Sequence, residues 1–167
     1  MRQIDFYSLS DYTVPARGSV NRIYLHWSAG RYGQFFSDYH INIDANGSLY
    51  TDMDSLTDLK YHTWHRNTGA IGIALAACYG ATITSDGCID YGDYPPTSEQ
   101  IDMMGKVVAK LCIEIGIPLE NVLTHAEAAD IDGYGLNGPD PDMRWDLYGR
   151  GDEIRAIARN YMTSWGY

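Results

Sequence analysis

Residues 22–30 read Arg22-Ile23-Tyr24-Leu25-His26-Trp27-Ser28-Ala29-Gly30. Ile23, Leu25 and Trp27 alternate with Arg22, Tyr24 and His26, and this period of two predicts a half-buried strand. His26 falls on the face opposite the apolar set, at the strand end, where Ser28-Ala29-Gly30 turns the chain. An imidazole leaving a strand beside a turn belongs to a site at one edge of a sheet.

The neighbouring segments supply the rest of that sheet. Residues 39–44 predict a second strand, and Asn46-Gly47 provides the positive-φ residues of a tight turn before residues 48–51 return as a hairpin. In residues 70–77, Ile71, Ile73, Leu75 and Ala77 alternate with Ala70, Gly72, Ala74 and Ala76. The second face of this strand is therefore small enough for a helix or substrate to approach closely. Thr97-Ser98-Glu99-Gln100 opens a helix with a capping box, and Ile101, Met104, Val108, Leu111 and Ile115 form its apolar stripe, ended by Gly116 and Pro118. Residues 121–124 predict a short strand, and residues 153–165 a terminal helix carrying Ile154, Ile157, Ala158 and Tyr161. Between them, residues 126–144 are rich in Gly, Pro and Asp, and so long a connection reads as a functional loop. The fold class expected is α/β, one mixed β-sheet flanked by helices, with residues 1–167 as a single domain.

Composition narrows the function. With 45% apolar and 20% charged residues in 167, the chain is neither disordered nor fibrous. Its 12 basic against 22 acidic residues give a formal charge of −10, and no two basic residues are adjacent, so nucleic acid is not an expected partner. Cys78, Cys88 and Cys112 are odd in number and lack C-x-x-C spacing; they read as small core residues rather than as a disulfide or thiolate-metal set. The 14 tyrosines against 4 tryptophans and 3 phenylalanines suit a wet groove that handles sugars or peptides. No segment has the pattern of a signal peptide, and none has the apolar length of a membrane span. The expectation is synthesis in the cytoplasm, with no membrane insertion and with delivery by something other than a leader.

Five histidines are candidates for chemistry: His26, His40, His62, His65 and His125. His125 ends the strand Val122-Leu123-Thr124, as His26 ends its own, and Asp130, Asp132, Asp140, Asp142 and Asp146 offer oxygen donors downstream. Two histidines and a carboxylate match the three protein ligands of a catalytic zinc site, although aspartates in such a segment also serve as turn formers.

Four segments, in order, resemble the zinc-dependent N-acetylmuramoyl-L-alanine amidases, which share a fold with T7-type lysozyme and the peptidoglycan recognition proteins. They are Ile23 through Gly30; Tyr39-His40-Ile41-Asn42-Ile43-Asp44 with Asn46-Gly47; His65 with Asn67 and Ile71-Gly72-Ile73; and Thr124-His125-Ala126-Glu127. The resemblance spans residues 20–148. It implies one Zn2+ per chain, held by His26, by His125 in an H-x-[DE] pattern, and by Asp146 in Arg144-Trp145-Asp146, which looks like the family's basic-x-ligand unit. Arg stands where the family has Lys, and the segment before Asp146 is longer than usual, so Asp140 and Asp142 compete for the third position.

The same resemblance implies roles for the remaining residues. Tyr39 and Arg144 would donate hydrogen bonds to the oxyanion of the tetrahedral intermediate. Glu127 would orient a ligand, move a proton or cap the loop. Trp27, His65 and Asn67 would line the substrate groove. His40 is expected to be packed and hydrogen-bonded, and His62, which has no match, to be a surface or loop residue. Some relatives carry a Glu after Ile-Gly-Ile; here that position is Ala74, which leaves the general acid/base open among Tyr39, Glu127 and a water chain. The activity implied is hydrolysis of the amide between N-acetylmuramic acid and L-alanine of peptidoglycan. The setting implied is a phage or prophage endolysin acting as a monomer, without a separate wall-binding domain, and reaching the wall by holin-type release or delivery. The alternatives are a non-catalytic peptidoglycan-binding module of the same fold, a cell-wall recycling amidase and a delivered toxin.

Overall fold

A computed structural model of the chain describes residues 1–140 and 143–167. In chain order its elements are β1 (Arg2–Ile4), α1 (Ser10–Ala16), β2 (Arg22–Trp27), β3 (Ile41–Ile43), β4 (Leu49–Thr51), β5 (Ala70–Leu75), β6 (Thr82–Ile83), β7 (Ile89–Asp90), α2 (Ser98–Leu111), β8 (Val122–Thr124), α3 (His125–Asp132) and α4 (Gly151–Ser164). Six strands form one mixed sheet in the order β1-β4-β3-β5-β2-β8, and β6 and β7 form a separate small ribbon. β3, β5, β2 and β8 pair in parallel, with β8 at one edge, while β4 pairs antiparallel with both β3 and the other edge strand, β1.

The alternation in the sequence maps onto the two faces of this sheet. Ile23, Leu25 and Trp27 of β2, with Ile71, Ile73 and Leu75 of β5, enter one large core together with Met104, Val108 and Leu111 of α2 and Ile154 and Ala158 of α4. Tyr24 and Ala70 point the other way, into a small cluster with Ala128 of α3. The expected capping box of α2 is present: the Thr97 hydroxyl accepts from the Gln100 amide, and the Gln100 side chain accepts from the Thr97 amide. The buried Gln100 side chain also donates to the carbonyls of Ile43 and Ala76, tying the helix to the ends of two strands. The Asn46-Gly47 hairpin forms as expected, with Gly47 at φ +85°.

Four expectations change. Residues 126–144 are not a continuous loop, because α3 occupies Ala126 to Asp132 behind a second capping box, Thr124 with Glu127. The N-terminal 20 residues, unassigned from sequence, contribute the edge strand β1 and the helix α1. Of the cysteines, Cys78 and Cys112 are buried as expected, but Cys88 is exposed. His62 is not a surface residue: only 8% of it is exposed, and it lies beneath the sheet face that carries Gly72.

Candidate metal centre

Three elements converge at the carboxyl end of the parallel strands. His26 is the last residue but one of β2, fully buried opposite Ala74 of β5. β8 ends on Thr124, whose capping box starts α3 and so fixes His125 in that helix's first turn. Asp146 arrives on the segment after the cleft rim, where its carbonyl accepts from the Ala126 amide and the next residue, Leu147, takes a left-handed φ of 59°.

His26 Nδ1 lies 2.8 Å from Asp146 Oδ2, His125 Nδ1 lies 3.1 Å from Asp146 Oδ1, and the two Nδ1 atoms are 3.1 Å apart. All three residues are buried, and they form the one metal-competent His/Cys/Asp/Glu group among the described residues. Two ring nitrogens at this separation set lone pair against lone pair unless a proton or a cation stands between them. Tetrahedral zinc with nitrogen and oxygen ligands at about 2.0–2.1 Å requires donors about 3.3 Å apart, close to the spacing seen. One carboxylate and two neutral imidazoles also suit the charge and softness of such an ion. The donor set therefore fits zinc.

The electrostatics agree. Burial pushes the Asp146 carboxyl up, but the adjacent His125 and His26 outweigh it and hold the group below the usual carboxylate range. Burial lowers the His26 pKa against the pull of Asp146. Both shifts favour the deprotonated forms of Asp146 and His26 that a metal needs.

A cleft of about 1030 Å³ opens onto these donors. Tyr39 lines it with its ring 5.1 Å from that of His26, and burial, then Asp146 and Asp38, raise its phenol above the ordinary value, so it stays protonated. Arg144 is exposed at the rim. Trp27 lies in the wall, nearly buried and edge-on to Trp145. His65 is present with a left-handed φ of 60°, its ring beside that of Trp64. Asn67 lines the cleft while its side-chain oxygen accepts from the amides of His62 and Thr63. Asp140 also lines the cleft but is not in the three-residue cluster, and Asp142 lies outside the described residues.

Glu127 is placed differently from a proton carrier in the cleft. Its carboxylate receives the Thr124 amide and a bidentate ion pair from Arg155 at 2.8 Å for both bonds, with Gly151 of α4 packed against it. Of the roles offered by sequence, it performs the cap, and it positions His125 through the helix start.

Several lining residues were not singled out from sequence. Trp64 and Tyr61 are large aromatics, 69% and 73% exposed, on the cleft rim. Tyr134 turns a buried hydroxyl inward that has no hydrogen-bond partner among the described residues. His62 and Thr63 reach His26 from below. Local composition carries no signal for most of these; for His62 the signal was Gly72, whose missing side chain makes room for the ring.

A mixed sheet with a two-histidine, one-carboxylate centre at its strand ends defines a metal-site α/β domain with an open cleft. Residues 10–141 match the family model for N-acetylmuramoyl-L-alanine amidase, and the chain belongs to that family. The match stops short of Asp146, whose place in the centre rests on the geometry. Among solved structures, the amidase AmiD from E. coli, in complex with anhydro-N-acetylmuramic acid-L-Ala-D-gamma-Glu-L-Lys, is 17% identical with a TM-score of 0.56 over 84% of this chain. This chain spans 58% of the length of that one. The amidase LysC from Clostridium intestinale is 15% identical with a TM-score of 0.53, covering 84% of this chain and 86% of its own. A mutant endolysin from Bacillus subtilis is 16% identical with a TM-score of 0.54, covering 86% and 90%. These likenesses establish the shared fold. A search of curated proteins returns no match.

Proposed function

We propose that this protein is a zinc-dependent N-acetylmuramoyl-L-alanine amidase that cleaves the amide between N-acetylmuramic acid and L-alanine of peptidoglycan, and that it serves as a phage or prophage endolysin. The observation that carries the reading is the buried His26, His125 and Asp146 cluster, with donors 2.8–3.1 Å apart, at the floor of an open cleft. A complete donor set favours an enzyme over a binding module of the same fold. Family membership supplies the substrate class.

His26, His125 and Asp146 would hold the ion. When bound, zinc supplies a Lewis acid and a water-derived nucleophile at neutral pH, the two things an unreactive amide needs. The chain's own part is to bind and orient the substrate and to stabilise charge. Tyr39, kept neutral by burial and by Asp146, donates a hydrogen bond to the carbonyl oxygen as negative charge develops there. Arg144 adds a fixed positive charge from the rim and, unlike Lys, cannot give up a proton. Ala74 presents no carboxylate beside His26, so that position supplies no proton to the leaving amine. Trp27, His65, Asn67 and the exposed rings of Trp64 and Tyr61 supply the walls against which sugar and peptide lie.

Among the described residues no helix is long and apolar enough to cross a membrane. The net charge of −10 does not draw the protein toward an anionic wall, so recognition rests on local cleft contacts. The test is digestion of purified peptidoglycan with and without a chelator, with products identified by mass spectrometry. Free stem peptides beginning with L-Ala, lost on chelation, are expected. Cuts between sugars or within the peptide would overturn the reading.

A further inference from the structure

We propose that Thr63 and His62 form a hydrogen-bonded chain that fixes the tautomer of His26, so that its Nδ1 lone pair faces the metal position; this rests on the zinc reading above. The two are positioning residues acting through His26.

A neutral imidazole carries one N–H. If Nδ1 of His26 is to be a ligand, the proton must sit on Nε2 and needs an acceptor, in a pocket where His26 is fully buried. The group at that place is the Thr63 hydroxyl, 3.3 Å from Nε2. A hydroxyl that accepts still has its own proton to place, and His62 Nδ1 stands 2.9 Å away to receive it. The chain therefore runs from His26 Nε2–H to Thr63 Oγ1, and from the Thr63 O–H to His62 Nδ1. The proton of His62 then belongs on Nε2.

The opposite polarity satisfies the same distances: His62 Nδ1–H to Thr63, Thr63 to His26 Nε2, and His26 Nδ1–H to Asp146. It leaves no lone pair for a metal. What selects between them is the ion itself, because only the first polarity leaves a lone pair on His26 Nδ1 to hold it. On the far side of His62, Nε2 is buried with no hydrogen-bond partner among the described residues. The ring cannot turn away, because it lies flat against Gly72, and Asn67 pins the backbone of both His62 and Thr63 at 3.0 and 2.8 Å. The small face of β5 thus serves to seat an outer partner of the metal ligand.

The experiment measures zinc affinity of the full chain by competition with a chromophoric chelator. Thr63→Val removes the hydroxyl at nearly constant volume and is expected to weaken zinc about 10- to 100-fold, whereas Thr63→Ser, which keeps the hydroxyl, should stay near wild type. A purely packing role predicts the reverse order, since Val preserves the shape better than Ser. Melting of the metal-free variants controls for folding. Should Thr63→Val not fold, long-range proton–nitrogen correlation spectra of the zinc-loaded wild type read the tautomers directly, with both His26 and His62 protonated at Nε2. Wild-type affinity in Thr63→Val, or a proton on Nδ1 of His62, overturns the inference and leaves the amidase reading intact. A wild-type chain that takes up no zinc overturns both.

Discussion

Gly72→Ala tests whether the sheet face beneath the site is as tightly filled as the structure indicates. Gly72 lies in β5 with a φ outside the left-handed region, so alanine adds no backbone strain. The cost comes from contact alone. A methyl at this position would stand 2.6 Å from Cγ and Cδ2 of His62, against an ordinary contact of 3.4–4 Å. The ring must retreat by about 1 Å, yet it is bounded by the rings of His26, His40 and Tyr24 at 5.3, 5.8 and 6.2 Å between centroids. Overpacking of this kind costs about 1–3 kcal/mol. In a domain of this size each kcal/mol lowers Tm by about 2–4 °C, giving a fall of about 2–12 °C. Urea denaturation of the metal-free protein provides the assay, and a double-mutant cycle with His62→Ala isolates the contact. Removing the ring should relieve the clash, so the two costs should fail to add by about 1 kcal/mol or more. Costs that add to within about 0.5 kcal/mol would show that the methyl and the ring do not compete, and would refute the packing argument.

Four further outcomes follow from the site. Asp146→Ala should lose both bound zinc and activity; a full equivalent of zinc retained by atomic absorption would move the third ligand to Asp140 or Asp142. Arg144→Ala should keep its zinc but lose about 100- to 1000-fold in kcat, as expected for a lost oxyanion donor, and full turnover would place that stabilisation elsewhere. Trp64→Ala, which removes an exposed ring from the rim, should raise KM for polymeric peptidoglycan with little change in apo Tm; an unchanged KM would take the sugar or peptide off that wall. His40 is buried and its pKa falls to about 4, chiefly through burial, so the unfolded chain binds more protons as pH drops below the ordinary 6.5. Its share of stability, about 3 kcal/mol at most, is intact above that value and is lost as pH falls toward 4; a His40→Gln variant should show a flatter urea-midpoint profile between pH 7 and 4.5, and an equally steep one would assign the loss to other groups.

The parts of the fold readable from sequence are those whose apolar residues recur with a period, even though β2 and β5 are buried on both faces. β2 and β5 each bury one face in the large core, and α2 buries one stripe, so their alternations and caps announce them. The helix α3 buries Ala126, Ala128 and Ala129 without a stripe, so its alanines favour a helix but no periodic pattern marks one. Its capping box at Thr124 and Glu127 was as visible as that at Thr97; only the missing amphipathic pattern hid it. Recognising α3 also shortens the irregular connection to Asp146, and the length of that connection was the reason to weigh Asp140 and Asp142 against it. β1 and α1 are short, with three and seven residues, and α1 contains Pro15, so neither offers enough repeats to show a period. His26 and His125 stand out in the sequence as histidines at strand ends, and Asp146 through the likeness of Arg144-Trp145-Asp146 to the family's unit; the structure brings the three together. His62 does not stand out, because its place depends on an absent side chain ten residues away on another element.

The backbone around the site shows how the fold holds such a centre. Among the described residues, left-handed φ at non-glycine positions occurs at Ala29, His65, Cys78 and Leu147. Ala29 follows the strand that delivers His26, Cys78 bridges to Gly30 in the same turn, His65 lies on the cleft rim, and Leu147 follows Asp146. Each such residue costs of order 1–3 kcal/mol and persists only where surrounding contacts over-determine it. Leu147 shows the compensation directly, since its side chain is fully buried in the main core, and burying a leucine contributes about 1.5–3 kcal/mol. That anchor offsets the turn it makes necessary. A glycine there would relax the turn but release the carboxylate from the core. The third donor is thus held in place by hydrophobic burial one residue along the chain, and the second by a helix cap. The first is held by the interior strand β2, between β5 and β8, and from beneath by an imidazole seated on a glycine.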